Sequence, residues 1–185
     1  AEYEISSLRN MFSLVFQDYN AYAVSVLKNV TTTYEESEND RERVVKSLEL
    51  SGLYKKINGM EKGLDTELTR EFDEAGIVLS GGETQKLALA RAYYQNAEFL
   101  ICDEPTSNID PLAEHEMINN IITASEGKTL IIISHRLSSM QNMDKILLFD
   151  RGEIVETGTH RELIELNGLY ADMYKTQVSH YDLNV

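Results

Sequence analysis

Leu79–Ala92 reads LSGGETQKLALARA and Phe99–Thr106 reads FLICDEPT, and these two stretches decide the fold. The second is an apolar strand that ends in paired carboxylates. The first is a Ser-Gly-Gly turn opening a helix, in which Leu87, Ala90 and Tyr94 share one face and Lys86 and Arg91 are expected to turn away. Upstream, Phe12–Phe16 (FSLVF) reads as a short buried strand ending at Gln17. Residues 18–95 have a helical texture, with Val44, Val45 and Leu48 on one face of Arg41–Leu50 and Gly59 and Gly63 as punctuation. Downstream, strand and helix alternate. Phe99–Cys102 is a strand, Leu112–Ser125 a helix stopped by Gly127, Thr129–Ser134 a strand, and Leu137–Asn142 a short helix. Ile146–Phe149 and Glu153–Glu156 flank a tight turn at Arg151-Gly152, and His160–Leu166 and Leu169–Gln177 are terminal helices. Short apolar strands alternating with helices imply an α/β fold with a parallel sheet covered by helices on both faces.

Composition narrows the class. A length of 185 residues allows one substantial core with an inserted lobe. Hydrophobic residues are 42% and charged residues 26%, ordinary for a soluble globular protein. The longest apolar runs, such as Leu130–Ile133, are strand-length and far short of a membrane span, and the opening residues lack a signal-peptide pattern. The single Cys102 excludes an internal disulfide framework and fits a reducing compartment; its apolar surroundings predict a buried, inert thiol. A net charge of −14 argues against nucleic acid or an anionic membrane surface as the main partner. Any site for an anionic ligand must therefore be built locally, from helix N-termini, backbone amides and a bound cation.

Four groups carry chemistry. Gly81 and Gly82 permit close backbone approach, and a helix starting there offers free amides and a positive dipole end to phosphate oxygens; a plain N-cap by Ser80 is the alternative. Asp103 is carried by its strand to the sheet edge, where it can hold Mg²⁺, usually through water. Glu104 comes next, so its side chain takes a different direction and can polarise an attacking water; a solvated acidic turn before Pro105 is the alternative. His135, after the strand TLIIIS, can donate a hydrogen bond to a γ-phosphate, or it can be an ordinary strand-end histidine. Gln17 completes a set of strand-end polar groups, and ligands of open parallel sheets bind at such carboxyl ends. Gly127-Lys128-Thr129 is a decoy. A phosphate loop needs a glycine five positions before its Gly-Lys, where Ile122 stands, and needs strand before helix. We read it as a helix stop. No other glycine-rich loop ending in Gly-Lys-Ser/Thr occurs in the chain.

In this combination the chain resembles the nucleotide-binding domain of ABC transporters over nearly its whole length. VFQD at Val15 looks like the Q-loop, LSGGE the signature, FLICDE the Walker B strand with its catalytic glutamate, SNID at Ser107 the D-loop, and His135 the H-switch. EFDEAG at Glu71 is similar to the X-loop of exporters, and GTHRELIELNGLYADMY at Gly158 to an exporter-type tail. The resemblance implies a P-loop NTPase-like parallel sheet with an inserted helical subdomain. Residues 1–17 and 96–185 would form a partial RecA-like core, and 18–95 the helical lobe carrying the signature at its end. It also implies ATP and Mg²⁺ as cofactors. Glu104, His135 and Gln17 would be catalytic, Asp103 and Gln17 would face Mg²⁺, and Ser80, Gly81, Gly82 and Asp110 would bind nucleotide. Two such domains would close head to tail, so that Ser80 and Gly82 serve the partner's ATP. That pair would be a homo- or heterodimer at the cytoplasmic face of the cell membrane, and the other implied partners are the transmembrane domains of the transporter.

The pattern departs from the family in three places. The signature ends in Glu83 where glutamine is frequent. The D-loop has Asn108-Ile109 where a small residue and leucine are usual. The Walker A loop and its strand are missing, which predicts an inactive fragment with a gap in the sheet between TLIIIS and KILLF. Two further readings compete: a soluble ABC ATPase acting in DNA repair or translation, and a non-catalytic interaction unit. Coiled-coil inserts, zinc-type cysteines or a second cassette would mark the former; the single Cys102, the acidic charge and the exporter-like tail speak against it.

Overall fold

The computed structural model describes residues 4–35, 37, 39–106, 109 and 111–182, and forms two compact units, residues 1–133 and 134–185. The first contains a three-stranded parallel sheet, β1 (Phe12–Val15), β2 (Phe99–Asp103) and β3 (Thr129–Ile133), in the order β1-β2-β3. Phe12, Phe99 and Thr129 stand side by side, as do Val15, Cys102 and Ile132, so all three carboxyl ends emerge at one edge. A parallel sheet needs long crossovers, and the two here are unequal. The β2–β3 crossover is one helix, α6 (Pro111–Ala124). The β1–β2 crossover is the helical stretch, with α2 (Val26–Thr31), α3 (Asp40–Leu50), α4 (Tyr54–Asn58) and α5 (Gly81–Gln95). A short helix, α1 (Ile5–Asn10), precedes β1 and has no counterpart in the sequence reading.

The helical stretch holds its own core of Val26, Leu27, Val30, Val44, Leu48, Leu53, Ile57, Leu68, Leu79, Leu87 and Ala90. Among the described residues, strand geometry there is limited to isolated bridges, Ser25 to Glu67 and Leu68 to Ile77. At Gly76 any Cβ would collide with the Thr69 carbonyl, so the EFDEAG turn requires glycine there. The expected outward turn of Arg91 is corrected. Its Nε donates to the Asn29 carbonyl at 2.8 Å and its Nη2 to Asn29 Oδ1 at 2.7 Å, while the guanidinium lies 4.6 Å from the Tyr22 ring centroid. Partnering of this kind offsets the cost of burying a charge.

Helix α5 packs on β1. Ser13 Oγ donates to the Ala92 carbonyl at 3.1 Å and Gln95 Nε2 to the Phe12 carbonyl at 2.9 Å. Ser13, Val15, Leu100 and Cys102 are buried on that face. The opposite face carries Leu14, Ile131 and Ile133, all roughly half exposed. Strand β3 ends its sheet, without a ladder partner on its second side among the described residues. Gly127, at φ +78°, closes the connection from α6, and Lys128 donates to Asn96 Oδ1 at 2.7 Å, so the GKT run serves as the helix stop that it was read to be.

The second unit is an antiparallel hairpin, β4 (Ile146–Asp150) and β5 (Glu153–Gly158), followed by α7 (His160–Leu166) and α8 (Leu169–Asp182). Arg151 and Gly152 both have positive φ, +47° and +84°, the type I′ signature that matches strand twist. Leu137, Leu148, Leu163 and Tyr170 form its core. Thr159 caps α7 with Glu162 in a capping box, and Glu156 accepts from the Leu169 and Tyr170 amides at the start of α8.

Candidate nucleotide site

Helix α5 begins where the Ser-Gly-Gly turn predicts. Ser80 is its N-cap, with Oγ accepting the Glu83 amide at 3.4 Å, while Glu83 Oε2 accepts the Ser80 amide at 2.8 Å. The capping box fixes the turn. The capping alternative is thus observed, and the two glycines stay open, with nothing within 4 Å of a Cβ at either. A cavity of ≈ 320 Å³ borders this helix start, lined by Ser80, Gly82, Glu83, Lys86 and Tyr93 from α5 and by Glu116 from α6. Glu83 has a second partner, Lys56 Nζ at 2.6 Å. Partial burial opposes ionisation of this carboxyl, but the Lys56 ammonium and the Ser80 hydrogen bonds outweigh it and hold the group below its usual range.

At the sheet edge, Asp103 is the last residue of β2 and Glu104 follows at φ +45°. That is left-handed backbone at a glutamate, a costly conformation that clusters at functional sites. The Glu104 amide donates to the Ile133 carbonyl at 2.9 Å, extending the β2–β3 ladder past the bend. Gln17 lies two residues beyond Val15, whose register partner is Cys102, so Gln17 emerges at the same carboxyl edge as Asp103 and Glu104. His135 follows β3 by two residues and belongs to the second unit. There its backbone carbonyl accepts from Gln177 Nε2 at 2.6 Å, while Gln177 Oε1 accepts the Leu137 amide at 2.9 Å. Gln177 thus clamps the backbone around His135, a role that spacing alone does not announce. Asp110, with Ser107 and Asn108, lies outside the described residues.

Behind the edge, Cys102 is fully buried, and burial pushes its thiol up to about 12. Burial likewise raises Tyr93. The carboxylate and amide oxygens of Asp103 and Gln17 are hard donors, suited to Mg²⁺, which binds through one or two carboxylates plus phosphates rather than a full protein cage. No cluster of three or more His, Cys, Asp or Glu occurs among the described residues. On another face, a groove of ≈ 550 Å³ is lined by Tyr22, Lys28, Tyr34, Glu71 and Phe72, with Phe72 84% and Tyr34 81% exposed.

The family model for ABC transporter matches residues 1–107. The chain belongs to the ABC transporter family. An ATP-dependent lipid A-core flippase of Shewanella frigidimarina is 38% identical over 178 residues, which are 96% of this chain and 29% of that protein. One of Burkholderia pseudomallei (strain 1710b) is 38% identical over 176 residues, 95% of this chain and 28% of that protein. A bacterial Atm1-family ABC exporter solved with ATP bound superposes with a TM-score of 0.80 at 30% identity, over 94% of this chain and 30% of that one. The chain thus spans under a third of the length of these relatives, and its fold is that of ABC exporter nucleotide-binding domains. No helix among the described residues is long and apolar enough to cross a membrane.

Proposed function

We propose that this chain contributes the ATP-hydrolysing machinery of an ABC exporter at the cytoplasmic face of a membrane. It would work as residues 1–17 and 96–185 of a RecA-like core with residues 18–95 as the helical lobe. The observation that carries the reading is Glu104 in left-handed backbone directly after Asp103, at the sheet edge it shares with Gln17. In this role Glu104 accepts a proton from the attacking water. Asp103 and Gln17 offer oxygens to Mg²⁺, which when bound neutralises charge on the phosphates. His135 donates to the γ-phosphate, and its backbone is steadied by Gln177. Ser80, Gly81, Gly82 and Asp110 face the nucleotide of a second such domain in a head-to-tail pair, same or different in sequence. The triphosphate's lysine loop has no counterpart in these 185 residues, so the reading requires it from outside them and predicts negligible turnover by the chain alone.

The exposed aromatics of the groove around Tyr22, Tyr34 and Phe72 suit contact with the transporter's membrane domains, next to the segment that follows Gln17. The test is phosphate release by the complete transporter with Glu104→Gln. The amide keeps the shape and removes the base, so turnover should fall at least about 10²-fold while ATP binding persists. Turnover at the wild-type rate would refute the assignment.

A further inference from the structure

The carboxylate at Glu83 creates an electrostatic conflict. A helix N-terminus carries about +0.5 of an elementary charge, which favours phosphate. A carboxylate in its first turn reverses that to about −0.5, at the place where a triphosphate is to be received. Glutamine there would close the same cap without charge. Here the charge is met by Lys56 of α4, 27 positions earlier, whose Nζ lies 2.6 Å from Glu83 Oε1 while Oε2 holds the Ser80 amide. With Lys56 in place the helix start returns to about +0.5. Lys86 also lines the adjoining cavity but forms no ion pair with Glu83, so that cation does not substitute.

We propose that Lys56 is a positioning residue of the nucleotide site: its salt bridge to Glu83 neutralises the signature carboxylate and steadies the capping box, so that the Ser80–Gly82 turn can receive the triphosphate held by a second nucleotide-binding domain. The inference rests on the role proposed above for that turn. It makes Glu83 and Lys56 a coupled pair, in which the lysine matters only because the glutamate is there.

The experiment measures KM for ATP and kcat in the complete transporter, near 50 mM salt and near 500 mM, for wild type, Lys56→Ala, Lys56→Gln, Lys56→Arg, Glu83→Gln and Lys56→Ala/Glu83→Gln. Lys56→Ala and Lys56→Gln should raise KM about threefold to tenfold at low salt, with kcat changed less than about twofold. The shift should shrink at high salt, because exposed charges are screened. Lys56→Arg should stay within about twofold of wild type. In the Glu83→Gln background the Lys56→Ala shift should fall below about twofold. An unchanged KM in Lys56→Ala, or an equal shift in both backgrounds, overturns the proposal, the second outcome making Lys56 merely structural. Glu104→Gln in the same preparation separates the two levels. If it abolishes turnover while Lys56→Ala leaves KM untouched, only the pair fails; if it retains turnover, the reading of the site fails and the pair with it.

Discussion

Replacing Asn29 by leucine should destabilise this domain by about 3 kcal/mol, and the hydrogen-bond inventory says why. Asn29 is fully buried. Its Nδ2 donates to the carbonyls of Tyr22, Val24 and Ser25, and its Oδ1 accepts from the Tyr22 amide at 2.8 Å and from Arg91 Nη2 at 2.7 Å. Leucine fills similar space but leaves groups behind. The three carbonyls each keep another donor: Val24 N–H for Tyr22, Leu68 N–H for Val24, and the residue-29 amide for Ser25. The two donors do not. The Tyr22 amide sits in a residue that is 56% exposed, where water can reach it, so its loss costs about 1 kcal/mol. The Arg91 guanidinium is largely buried, and an unmet charged donor costs about 2 kcal/mol or more. For a chain of this size the sum corresponds to a melting shift of about 6–12 °C. Arg91→Met removes the charge that would be stranded, so the double variant should be less destabilised than the sum of the singles, by about 2 kcal/mol. The assay is thermal and urea unfolding of wild type, both singles and the double. Additivity within about 0.5 kcal/mol, or a single Asn29→Leu shift under about 2 °C, would refute the account.

His135→Ala should cut turnover of the complete transporter by roughly 10²–10³-fold, as loss of one γ-phosphate donor does; steady-state phosphate release measures it. Cys102 should resist a thiol reagent in the native protein and react on unfolding, since a thiol pushed up to about 12 is only about one part in 10⁴ ionised at pH 8. Asp40 is held near 2 by the Tyr94 hydroxyl at 2.6 Å, then by the Ser37 amide and Arg43. A depressed carboxyl means that the unfolded chain binds more protons. Its stabilisation is therefore complete above about pH 4 and is lost as pH falls toward 2. Asp40→Asn should flatten that limb of a melting-temperature profile measured from pH 5 to 2.

The strands were legible because their residues are apolar in short runs, and β1, β2 and β3 stand parallel and adjacent as the alternation with helices implied. The start of α5 was legible for a chemical reason: Ser80 and Glu83 have the spacing of a reciprocal cap. Tertiary partners were not. Periodicity assigns Arg91 to an outer face because arginine is polar; it cannot see that Asn29 and Tyr22 arrive to receive the guanidinium. Lys56 is one of two adjacent lysines on a short helix, and nothing local distinguishes it from Lys55 until the fold brings it to Glu83. The left-handed turn at Glu104 is hidden for the opposite reason: a glutamate there contradicts local preference, and the function proposed for the residue accounts for the exception.

The second side of β3, without a ladder partner among the described residues, has a practical corollary. From Thr129 to Ile133 the strand carries no lysine, proline or bulge, the devices by which natural edges discourage unwanted neighbours. Ile131 and Ile133 add a greasy surface beside the peptide groups of that side, which have no ladder partner among the described residues. Made by themselves, these 185 residues face a kinetic race in which like strands can zip together at a rate rising with concentration, whereas a complementary strand tethered nearby would win at any dilution. Yield of soluble material should therefore depend on what is co-expressed alongside more than on any single side chain within.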